Sequence, residues 1–154
     1  MKTVKVLMIV MCFVFIVTNL WFTIFSICIV SGPSMSPTIE DGAFLLVYKR
    51  FHSFERFDVI TAQLDDDYSI IKRVIGLPGE IVHISNGSVY INGKALDDVV
   101  SCKTYDAGIA SEPITLGANE YFVLGDNRSN SFDSRDPKCG VIPFERITSK
   151  VVCK

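Results

Sequence analysis

Histidine is scarce in this chain: His52 and His83 are the only two in 154 residues. Neither stands near a cysteine at a metal-ligand spacing, and no two cysteines have the CxxC spacing, so neither a metal nor a cofactor is expected. A cysteine nucleophile would need a histidine partner. His52 falls in a polar connection and His83 alternates within a strand pattern, and both read as structural or solvent-facing. The net charge is only −2, which gives no argument for a nucleic-acid partner. Low-complexity tracts are absent. Charge is missing altogether from residues 6–30, where Thr18, Asn19, Thr23 and Ser26 are the only polar interruptions of an apolar run. Cys12 and Cys28 lie in that run. Cys102, Cys139 and Cys153 follow it and allow at most one bridge among themselves, so they read as one disulfide or as buried thiols.

A helix that crosses a bilayer needs about 20 apolar residues, whereas the apolar core of a cleavable signal peptide has only about 7–15. Residues 6–30 therefore read as a transmembrane anchor rather than a removed signal. Lys2 and Lys5 precede the run, and no Lys or Arg follows it until Lys49. The positive-inside rule then places residues 1–5 in the cytoplasm and residues 31–154 outside the cytoplasmic membrane. That outer part is large enough for one compact domain.

Its pattern is β. Short apolar or alternating runs occur at 43–48, 57–62, 68–75, 80–85, 88–91, 94–96, 120–124 and 147–153. Asn86-Gly87 between two alternating segments is a strong hairpin signal, and Asn92-Gly93 repeats it. Residues 97–118 have a weaker pattern and read as surface loops. No segment after the anchor has sustained helical periodicity. The expected fold is mainly β: one N-terminal transmembrane helix, then an antiparallel sheet domain, either a distorted barrel or two packed sheets.

Two features carry chemistry. Ser34, in Ser34-Met35-Ser36-Pro37-Thr38, places a hydroxyl just beyond the anchor. A serine needs a nearby base to become a nucleophile. Lysine can act as that base when burial disfavours its charged form. Lys72 has such a setting, because on a strand it shares a face with Ile70 and Val74 while Arg73 points the other way.

Three segments resemble those of type I signal peptidases, the membrane-bound serine–lysine proteases that remove signal peptides. They are Ser31-Gly32-Pro33-Ser34-Met35-Ser36-Pro37-Thr38-Ile39, Ile71-Lys72-Arg73-Val74-Ile75-Gly76-Leu77-Pro78-Gly79-Glu80, and Leu124-Gly125-Asp126-Asn127-Arg128-Ser129-Asn130-Ser131-Phe132-Asp133-Ser134-Arg135. The resemblance covers almost the whole chain and is weakest over 97–118. It implies that Ser34 is the nucleophile and Lys72 the general base. It implies that Ser131 orients the lysine and that Asp133 and Arg135 form a supporting ion pair. Val30, Met35, Ile39 and Ile71 match residues lining shallow pockets that admit the small residues of A-x-A sites. The implied partners are preprotein signal peptides and the lipid bilayer, with the enzyme a monomer.

The chain departs from the family pattern in three places. Gly32 stands where some members carry a serine that completes the oxyanion hole. Arg56-Phe57-Asp58 replaces the frequent Arg-Gly-Asp. The large insertions of longer members are lacking. Two other readings remain open: a maturation peptidase with a single substrate such as a conjugative pilin, and an inactive membrane-anchored binding module. The SOS-repressor autoproteases also pair Ser with Lys, but they lack the anchor and the Gly-Asp-Asn-Arg segment.

Overall fold

The computed structural model describes residues 2–65 and 68–153. The chain opens with one helix, α1 (Lys2–Ile24). Its stretch Thr3–Ile24 has a mean hydropathy of 2.4 and no buried residue in its most apolar part. At about 1.5 Å per residue the helix is roughly 35 Å long, enough to cross the hydrocarbon layer of about 30 Å. Its polar side chains are satisfied locally. Thr18 donates to Val14 and Phe15 carbonyls, Asn19 to the Phe15 carbonyl and Thr23 to the Leu20 carbonyl. These bonds back onto the helix reduce the polar capacity offered to lipid.

The helix is shorter than the apolar run. Residues Phe25–Ile29, expected as the last turns of the anchor, form strand β1. They pair antiparallel with β2 (Phe44–Tyr48), from Phe25 opposite Tyr48 to Ile29 opposite Phe44. A uniformly apolar run has no periodicity to mark where helix gives way to strand. The deciding factor is the long-range partner, which takes up the backbone hydrogen bonds of a Phe- and Ile-rich segment.

Every other expected run becomes a strand, with ends shifted by a residue or two: β3 (Val59–Gln63), β4 (Ser69–Gly76), β5 (Ile81–Ser85), β6 (Ser88–Ile91), β7 (Lys94–Ala95), β9 (Glu120–Leu124) and β11 (Ile147–Cys153). Two short strands were not legible, β8 (Ile114–Thr115) and β10 (Ile142–Pro143). All pairings are antiparallel and form two sheets. The larger has the order β1-β2-β11-β3-β4-β9-β10, the smaller β7-β6-β5-β8. Asn86 and Gly87, and likewise Asn92 and Gly93, adopt positive φ, as the tight hairpin turns require. Phe57 also takes a positive φ, 72°. This is the position where the resembled pattern has glycine, and Asp58 and Phe57 therefore lie in the turn that leads into β3.

Three apolar clusters hold the domain together. One packs Ile60, Ala62, Ile70, Val74 and Val123 beneath the centre of the large sheet. Another packs Ile75, Val82, Phe122 and Leu124 between the two sheets. The third packs Val30, Met35, Ile39, Leu45 and Val47 at the β1–β2 end. All five cysteines are unpaired: Cys139 is buried, whereas Cys102 and Cys153 are exposed.

Candidate active site

Lys72 lies on β4, flanked by β3 and β9. It shares a buried face with Ile70 and Val74 and stands opposite Ile60 on β3. Only 3% of its surface is exposed. Burial lowers its pKa below the ordinary lysine value, and the Asp133 and Asp126 carboxylates act in the opposite sense. Its Nζ donates to Ser34 Oγ at 2.8 Å and to the Ile71 carbonyl at 2.9 Å. The hydroxyl and the amine expected to work together are thus in direct contact. An amine at that distance, once neutral, can accept the hydroxyl proton.

The turn carrying Ser34 is fixed from two sides. Met35, fully buried, plugs it into the third apolar cluster. On the other side the Asn127 N–H donates to the Ser34 carbonyl at 3.0 Å, and its side-chain amide donates to the Pro33 carbonyl at 3.2 Å. Gly125 makes this approach possible. A Cβ there would lie 2.5 Å from the Ser34 carbonyl oxygen and would collide with Ser131 Oγ.

Ser131 is therefore beside Ser34. Its Oγ is buried and has no hydrogen-bond partner among the described residues. The lysine-orienting bond implied for it is not formed here. Asp133 and Arg135 do pair, through Nε at 2.8 Å and Nη2 at 2.9 Å. Asp133 also accepts from the Gly125 N–H at 2.9 Å, and Arg135 donates to the Arg128 carbonyl at 2.8 Å. The pair braces both ends of the 125–128 turn. Arg73, on the face away from Lys72, clamps Asp126 through two donors and also bonds the Phe57 carbonyl at 2.8 Å.

Arg73, Gly125, Asp126 and Asn127 stand in the three family-like segments, yet the sequence alone does not point to their roles. Their function is contact between distant segments, which spacing along the chain does not display.

A cleft of about 630 Å³ opens over Ser34 and Lys72. Val30 and Ile71 line it. Met35 and Ile39 do not; they are core residues behind its wall. The Gly32 N–H, at the position where some family members carry a serine, donates to Asp41 at 2.8 Å. The Ser34 N–H has no acceptor among the described residues. Nearby Cys139 is no competing nucleophile, because burial and the Asp133 carboxylate push its thiol pKa up to about 12. Among the described residues no group of His, Cys, Asp and Glu could hold a metal.

Residues 1–154 match the family described as signal peptidase, peptidase S26. Signal peptidase I V of Bacillus subtilis is 40% identical over 121 residues, 69% of this chain and 72% of that protein. Signal peptidase I of Bacillus caldolyticus is 35% identical over 151 residues, 88% and 82% of the two chains. The crystal structure of a signal peptidase I from Enterococcus faecalis aligns with a TM-score of 0.54 at 28% identity, covering 67% of this chain and 100% of that one.

Proposed function

Because this chain belongs to the signal peptidase family, peptidase S26, and is thereby a membrane-bound serine peptidase of signal-peptide removal, we propose that Ser34 and Lys72 form its catalytic dyad and that it cleaves exported preproteins after small residues of A-x-A type. The carrying observation is the 2.8 Å contact between Lys72 Nζ and Ser34 Oγ, with the lysine buried. Neutral Lys72 takes the proton as Ser34 Oγ attacks the scissile carbonyl. The resulting ammonium gives that proton to the departing amine. Lys72 then activates water to release the acyl group. The Ser34 N–H is one oxyanion donor.

Ser131 is a positioning residue whose spare hydroxyl is available to the Lys72 amine, and the Asp133–Arg135 pair holds its loop. Val30 and Ile71 shape the shallow pockets for small side chains. The enzyme works as a monomer, with its first residues in the cytoplasm and its sheet domain outside.

The test is to incubate detergent-solubilised protein with a preprotein bearing an A-x-A site and identify the products by mass spectrometry. Cleavage after the second alanine is expected. Ser34→Ala and Lys72→Ala should each lower the rate about 10³-fold or more, without adding in the double variant, because they act as one unit. Lys72→Arg should fail equally, since a guanidinium stays protonated. An active Lys72→Arg enzyme would exclude the lysine as base.

A further inference from the structure

The cleft floor changes character along its length. Near Ser34 it is lined by Val30 and Ile71, with Thr61 opposite Ile71 on the next strand; towards the end of α1 it is lined by Ser26, Ser149 and Lys49. Strand register puts these residues on one face. Ser26 pairs with Val47 and Val47 with Val151; Ser149 pairs with Thr61 and Thr61 with Ile71. Val30 and Ser26 are separated by about 13 Å at the usual strand rise.

The polar end is adjacent to the anchor, because the Lys49 N–H donates to the carbonyl of Ile24, the last helical residue. Thr61 Oγ1 bonds both Ser149 Oγ at 2.6 Å and Thr148 Oγ1 at 2.7 Å, and the Ser149 hydroxyl keeps capacity for a further partner. Lys49 is exposed and makes no ion pair among the described residues.

Resting on the proposed peptidase reading, we infer that this polar end is a separate specificity element, which reads the substrate segment between its apolar core and the cut. A peptide whose apolar core lies in the bilayer beside α1 must approach Ser34 from the Lys49 side. Its small residues then meet Val30 and Ile71. The residue about four to six places before the cut meets Ser26 and Lys49, with Ser149 beside them. Hydroxyl and carboxylate side chains suit that lining, and a lysine there faces the Lys49 ammonium.

The experiment uses the full-length enzyme in neutral detergent at low salt. Three versions of one A-x-A preprotein carry Asp, Ser or Lys at that upstream position, and kcat/KM is measured for each. The Asp substrate should be cleaved about two- to fivefold more efficiently than the Lys substrate, the range expected of one exposed charge contact. The order should invert in Lys49→Glu, and the preference should shrink at high salt. Equal kcat/KM for the Asp and Lys substrates, or an unchanged ratio in Lys49→Glu, overturns the inference while cleavage itself upholds the peptidase reading. Failure to cut any version, the unmodified preprotein included, overturns that reading and this inference with it.

Discussion

As the proposed base, Lys72 must lose its proton to act, and its surroundings decide at what pH it does so. Burial lowers its pKa, with Asp133 and Asp126 opposing. The rate should therefore rise along an acidic limb that lies below the free-lysine value of about 10.4 and flatten on its alkaline side. A limb centred at the free-lysine pKa would show that the amine is not desolvated. The same depression fixes a stability effect. Between the lowered folded pKa and the unfolded value, the unfolded chain binds more protons, so stability rises with pH through that window. Lys72→Met should remove this dependence. It should raise Tm below the window and lose its advantage as pH approaches about 10.4, as read by thermal denaturation at several pH values. Gly125 is the other residue on which the site turns. Gly125→Ala would drive a methyl group into the Ser34 carbonyl and Ser131. A destabilisation of about 1–3 kcal/mol is expected from such overpacking, together with a loss of activity larger than the loss of folded protein. Full activity in that variant would mean that the Ser34 turn does not need its close seat on the 125–128 segment.

Each member of the proposed dyad is delivered by a different kind of element. Lys72 is on a central strand, where pairing on both sides fixes its direction. Ser34 is on an irregular turn, whose position depends on Met35 behind it and Asn127 beside it. Met35→Ala should cost about 2–5 kcal/mol in denaturant unfolding, the range for emptying a buried large side chain. It should also lower kcat more than it raises KM, because the turn loses its anchor rather than its cleft lining. The strand that carries Lys72 was legible in the sequence, since alternation around it predicts which side chains share its face. The clustering of Ser34, Lys72 and Ser131 was legible only through the resemblance of three segments, because no local pattern states which strands neighbour one another. The β1 strand was hidden for a different reason. Phe25–Ile29 is as apolar as the helix before it, and its pairing with Phe44–Tyr48 is a tertiary choice. The resemblance implies a pocket role for Met35 and Ile39, because their positions match lining residues of the family. The turn instead directs them into the core, which a match of position in sequence cannot reveal.

At the scale of the molecule, a helix with no buried apolar residue in its central stretch joins an antiparallel domain rich in buried ones. Lys2 and Lys5 before the span and none until Lys49 after it favour a domain held outside. Protease added to intact spheroplasts should therefore digest the sheet domain, and complete protection until lysis would reverse the orientation. The junction itself has no slack. Ile24 ends the helix and Phe25 begins the sheet. Phe25 stacks between Trp21 and Tyr48 at ring-centroid distances of 4.6 and 5.5 Å, and the Lys49 N–H ties the second strand to the helix end. With α1 in the bilayer and Ser34 as the proposed nucleophile, such a joint would work as a fixed stand-off gauge. Ser34 cannot roam along a substrate that is itself held at one depth in the bilayer. Among several A-x-A sequences in one exported chain, the enzyme would cut the one presented at the gauge height, whatever the intrinsic quality of the others.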